Sequence, residues 1–175
     1  MKQSLAGVSL LVLALSMNAT ADAREVEKPA DTPLAAVAWF IGGSWVADVK
    51  DPQDGRATHI ETRITWTPNH AAIQFVTEFN GKPHYNGFYA YDPAKKSINF
   101  YYTAEDGQLT IGTSTPDPDG KTLHQEFDSM SPTGKTTHLR STIVRDGNDQ
   151  YHFTVFLEQG GDWKPVLNIT YLRKP

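Results

Sequence analysis

His124, Glu126 and Asp128 occupy alternate positions, which on a β-strand sets an imidazole and two carboxylates on one face, about 7 Å apart in succession. Such groups can ligate a metal ion or relay a proton. The row lacks the adjacent-turn His pairing that typifies zinc sites, so it reads as a solvated outer face, and no metal is expected. His138, Arg140, His152 and Thr154 share its polar parity on the next two strands and extend the patch if the register, which sequence does not fix, allows.

Other motifs invite a chemical reading and fail it. Gly120-Lys121-Thr122 and Gly134-Lys135-Thr136 echo the end of a phosphate loop, but Thr115 and Ser129 stand where the upstream Gly belongs, and a strand follows instead of a helix. Both read as hairpin turns. Asp117-Pro118-Asp119-Gly120 lacks the later oxygens and closing Glu of a calcium loop. With no Cys there is no thiol nucleophile, and no Ser sits in a strand-turn-helix elbow. His84, beside Tyr85 at a barrel end, and His70, in the second connection, are candidates for a general base or haem ligand. No catalytic residue is assigned and no cofactor is expected.

The elements that carry these groups are strands. From Ser44 onward, stretches rich in Val, Ile, Thr, Tyr and Phe alternate with Gly, Pro, Asn and Asp clusters, giving strands near 44–49, 57–67, 71–79, 84–91, 97–104, 108–114, 122–130, 136–145, 150–158 and 164–173. Asn80-Gly81, Asp106-Gly107 and Asp146-Gly147 are among the turns between them. Short connections imply antiparallel neighbours, and closing the sheet removes its two edges. The expected fold is all-β: an antiparallel up-and-down barrel of 8–10 strands over residues 33–175, with a two-layer sandwich as the competitor. One short helix precedes it, with Thr32 as N-cap, Pro33 in the first position and Gly42-Gly43 as the stop.

The 175 residues hold 16 Lys+Arg against 20 Asp+Glu, with 39% hydrophobic and 21% charged residues, which suits one domain and excludes a disordered or fibrous chain. A formal charge of −4 gives no positive field to gather phosphates, so nucleic acid is not an expected partner. Residues 1–23 read as a signal peptide: Lys2 precedes an apolar stretch over 5–17, and small residues lead to cleavage after Ala23. The apolar stretch is too short to anchor the chain in a membrane, and no Cys follows for lipidation. Residues 24–32 form a polar leader, and the expected compartment is a bacterial periplasm. Losing Lys2 and Asp22 with the signal leaves the charge at −4.

Strand parity divides the side chains into two sets. The apolar set includes Trp66, Phe75, Tyr89, Phe100, Tyr102 and Phe127, together with residues such as Ile64, Leu109, Ile111 and Ile143; the polar set includes His59, Glu61, His124, Glu126, His138 and His152. In a soluble barrel the first set lines the lumen, which is therefore aromatic, and buried Tyr and Trp require partners for their O–H and N–H groups.

Trp39-Phe40-Ile41-Gly42-Gly43-Ser44-Trp45, a short apolar helix running into Gly-x-Trp, resembles the opening of calycin-type barrels, the superfamily of lipocalins, fatty-acid-binding proteins and nitrobindin-like haem barrels. The resemblance implies that Trp45 closes one end of the barrel and that Arg173, in Tyr171-Leu172-Arg173-Lys174, covers it. The wider pattern, with Tyr85-Asn86-Gly87-Phe88-Tyr89-Ala90-Tyr91-Asp92-Pro93 and the closing Tyr-x-Arg-Lys, is similar to a family of exported bacterial proteins known as a domain of unknown function, over about residues 34–174. A nitrobindin-like haem role implies a proximal His in a late strand. His152 is the candidate, and its outward parity counts against haem.

The expected function is lipocalin-like: binding of a small apolar or aromatic ligand by Trp66, Phe75, Tyr89, Phe100, Tyr102 and Phe127. The rivals are a hydrolase- or isomerase-type enzyme using a His and a carboxylate at the barrel mouth, and a structural or interaction domain. Sequence assigns neither the ligand nor the oligomeric state.

Overall fold

The computed structural model describes residues 33–50 and 55–174; the signal peptide expected over 1–23, the polar leader expected over 24–32 and the expected Thr32 cap lie outside them. The chain opens with a helix at Pro33–Phe40, η1, which is of the tighter 3₁₀ kind. Ten strands follow: β1 (Ser44–Lys50), β2 (Ala57–Trp66), β3 (Ala72–Phe79), β4 (Lys82–Asp92), β5 (Ser97–Ala104), β6 (Leu109–Pro116), β7 (Thr122–Met130), β8 (Thr136–Asp146), β9 (Gln150–Gln159) and β10 (Asp162–Lys174). Each pairs antiparallel with the next, and β1 pairs with β10, so the sheet is a closed barrel rather than a sandwich.

Both Gly-Lys-Thr motifs lie in hairpin turns. Gly120 N–H donates to Asp117 O and Gly134 N–H to Ser131 O, each at 2.9 Å, and both glycines have positive φ.

Closure is shortest between β1 and β10, where Ser44, Trp45 and Val46 face Lys174, Arg173 and Leu172. Trp45 and Arg173 are cross-strand partners there. Trp45 is wholly buried, its indole N–H donates to Phe40 O at 2.7 Å, and the Arg173 guanidinium lies 4.1 Å from its ring centre. The same guanidinium donates to Trp39 O at 2.8 Å, to Ile41 O at 3.2 Å and to Gly42 O. These carbonyls end η1, where no further helical N–H groups arrive to satisfy them. One side chain thus fixes helix, turn and final strand together.

Parity holds along most strands and fails on β6. Leu109 and Ile111 were expected inside, but Thr110 and Ser114 are buried and Ile111 is 49% exposed, opposite Tyr101 on the outer face. Gly112 supplies the reason. A Cβ there would collide with Phe127 Cβ and Glu126 O and lie 2.8 Å from Phe100 Cζ, so the even positions must face the crowded rings. Gly87 on β4 is held in the same way, by Phe75 and Tyr102. On β10 an irregularity between Pro165 and Leu167 reverses the alternation, leaving Trp163 outside against Arg140 while Ile169 and Tyr171 point inward.

Gly112→Ala is expected to destabilise the barrel by about 1–3 kcal/mol through overpacking, read as a lower urea midpoint. Thr113→Val, one residue on and outward-facing, should change stability by less than about 0.5 kcal/mol.

Candidate functional site

The inward rings do not fill the barrel. They enclose a cavity of about 330 Å³ that extends from Phe40 on η1 to Gln108 and Ser129 towards the opposite end. Gln108 Nε2 donates to Ser129 Oγ at 2.8 Å. Phe75, Tyr89, Phe100, Tyr102 and Phe127 line the cavity, in a chain of ring contacts with centroids 5.6–6.3 Å apart. Trp66 does not line it. As the last residue of β2 it lies at the turn end of the barrel and stacks on His70, so its inward parity does not bring it to the cavity.

Among the described residues no Asp, Glu, Lys, Arg or His side chain lines the cavity. Its titratable groups are phenols, and burial raises their pKa: Tyr85 and Tyr89 are pushed up to about 12, while Tyr151 and Tyr171 are driven further from the ordinary range. Burial also raises Tyr102, with the nearby Thr110 hydroxyl opposing it. Thr110 Oγ1 has no hydrogen-bond partner among the described residues. All these phenols keep their protons at neutral pH.

A polar network crosses the aromatic wall. Ser141 Oγ donates to Gln125 Oε1 at 2.8 Å, and Gln125 Nε2 donates to Ser114 Oγ at 3.0 Å and to the Tyr89 hydroxyl at 3.3 Å. Thr62 and Thr77 share a buried hydrogen bond of 2.9 Å across β2 and β3. Gln125 carries no chemical motif in the sequence, although its position between Leu123 and Phe127 gives it inward parity.

The imidazoles are elsewhere. His124, Glu126 and Asp128 stand on the outer face, and the register sets Glu126 opposite Arg140 and Asp128 opposite His138. His138 contacts Asp128 at 2.8 Å through Nδ1 and Glu126 at 3.0 Å through Nε2. His152 contacts Thr170 at 3.0 Å and is likewise outside, so no imidazole in the cavity can act as an axial haem ligand; the lining does not fit a histidine-ligated haem. At the mouth, His84 Nδ1 lies 3.0 Å from Glu105 Oε1 and its ring stacks on Phe79. That pair has the reach required for acid–base work, but neither residue lines the cavity. Among the described residues no three His, Cys, Asp or Glu side chains gather as a metal site.

No family model matches the chain, and no curated protein does. Among solved structures it is similar to Rv2717c from M. tuberculosis, with a TM-score of 0.58 and 17% identity over 82% of this chain and 99% of that one. The structure of EF1p2_mFAP2b bound to DFHBI also matches, at 14% identity and a TM-score of 0.36 over 79% of this chain and 97% of that one, too distant to support an argument. The first likeness and the closed ten-stranded sheet fit a calycin-like barrel, as a statement of fold.

The outer patch gives a pH prediction. Hydrogen bonds donated to Asp128 and then to Glu126 raise the His138 pKa above its ordinary 6.5, against desolvation, which lowers it. A raised folded-state value makes this contribution to stability complete below 6.5 and lost as pH rises through the folded value. Titration by NMR should place His138 above 6.5, and Asp128→Asn should lower it.

Proposed function

We propose that this protein takes up a small, neutral, apolar or aromatic molecule in its lumen and serves as an exported carrier. The observation that carries this reading is the cavity of about 330 Å³, walled by aromatic rings and, among the described residues, without an ionisable acid or base other than tyrosine. Burying apolar ligand surface there contributes about 25 cal/mol per Å², and the rigid walls lose little freedom on binding. A carboxylate or ammonium ligand would surrender its hydration with no counter-charge to replace it, so charge selects against entry.

Export is part of the proposal. It is supported by the basic, apolar and small-residue order of the first 23 residues. A periplasmic extract should contain a chain whose mass corresponds to a start at Arg24.

N-Phenyl-1-naphthylamine, neutral and fluorescent in apolar surroundings, is expected to bind saturably, one per chain. Val155→Phe, which places a ring in the cavity, should weaken it at least about tenfold. Ile111→Ser on the outer face should leave binding unchanged. Absence of saturable binding, or equal binding by Val155→Phe, would overturn the reading.

A further inference from the structure

The geometry points to the Tyr89 hydroxyl as a hydrogen-bond donor held ready in the lumen, and hence to a neutral ligand bearing an acceptor, such as a carbonyl oxygen or an unprotonated ring nitrogen. This rests on the carrier reading and narrows the class of ligand.

The argument begins with the Gln125 side chain. It is buried, with polar neighbours on two sides: Ser114 and Tyr89 on one, Ser141 on the other. An amide has two N–H donors on its nitrogen and one carbonyl oxygen. With the nitrogen toward Ser114 and Tyr89, both donors are used and the oxygen accepts from Ser141 Oγ at 2.8 Å. In this structure the amide nitrogen faces Ser114 and Tyr89.

That orientation decides what Tyr89 can offer. Its oxygen accepts from Gln125 Nε2 at 3.3 Å, so its proton points away from the amide, and no protein acceptor takes it among the described residues. Tyr89 faces the cavity beside Phe75 and Phe100, which supply the apolar walls. Its burial holds the phenol in the protonated form. The Ser141, Gln125 and Tyr89 dipoles run head to tail toward the cavity, which strengthens the terminal donor. A carboxylate would match the donor but carries a charge that the lining does not neutralise, so the partner is a neutral acceptor.

9-Fluorenone and fluorene test this, since the two are nearly alike in shape and differ in one carbonyl. The intact protein should bind fluorenone about tenfold more tightly, the worth of one buried neutral hydrogen bond, and shift the bound carbonyl stretch to lower frequency. Tyr89→Phe should bring the two affinities to within about twofold by weakening fluorenone alone, and should reverse the carbonyl shift. Fluorene affinity serves as the check that the variant is folded. If Tyr89→Phe does not fold, Gln125→Met provides the test: losing the N–H that occupies the Tyr89 oxygen frees the phenol to turn, and the fluorenone preference should fall at least about threefold. Equal affinities in the intact protein, or an undiminished preference in the variant that folds, would overturn the donor assignment and leave the lumen reading standing. Failure of both probes to bind the intact protein would remove both.

Discussion

Closure of the barrel depends on the contact between Arg173 and Trp45. The β1–β10 junction has a short register, and the two residues are partners within it, so the guanidinium stacks on the indole across the join. A cation over an indole contributes about 0.5–2 kcal/mol. The larger consequence is geometric, because the same guanidinium reaches the carbonyls of Trp39, Ile41 and Gly42. The 3₁₀ helix is thereby tied to the last strand, and Phe40 is held as part of the cavity wall.

From that fixed end the aromatic wall follows. Trp45, Tyr151 and Tyr171 follow one another inward from the closure, Trp45 meeting Tyr151 edge-on at 4.8 Å and Tyr151 stacking on Tyr171 at 4.7 Å. Farther along, Phe75, Tyr89, Phe100 and Tyr102 meet in tilted, edge and stacked contacts. Planar rings on neighbouring strands cannot all approach the axis. Gly87 and Gly112 make room for them by removing a Cβ where a second ring comes closest. Such a wall packs well against itself and leaves space at its centre, whereas flexible aliphatic chains would collapse further into the gap. The residual cavity is thus a product of the ring content that the lumenal parity imposes.

Much of this was legible in the sequence, because a two-residue alternation with Gly-containing turns leaves few arrangements open. The ten strands, the closed sheet and the inward placement of Phe75, Tyr89, Phe100, Tyr102 and Phe127 follow from period and turn chemistry. What escaped were features set between strands. The β6 parity depends on Gly112 having to face Phe127 and Phe100, a neighbour relation that local hydropathy does not contain. Trp66 has inward parity but ends its strand, so its distance along the barrel axis, rather than its face, keeps it from the cavity. Gln125 has inward parity, but in a hydropathy pattern a polar residue on an apolar face looks like an interruption. It is instead the centre of the lumen's polar network.

The histidines complete the division between wall and surface. His59 lies 2.8 Å from Asp48, His84 3.0 Å from Glu105, His124 3.3 Å from Asp117 and His138 2.8 Å from Asp128, while His152 lies 3.7 Å from Asp146. His70 stacks on Trp66 instead. The carboxylates that pair with imidazoles all lie outside the cavity lining, on the solvent side, where such a pair costs little desolvation when the imidazole is protonated. Moving such a pair inward would oblige the barrel to compensate both charges in a space lined by rings. Keeping them outside leaves the lumen to phenols and an amide, groups that can orient a neutral molecule without competing for a proton at neutral pH.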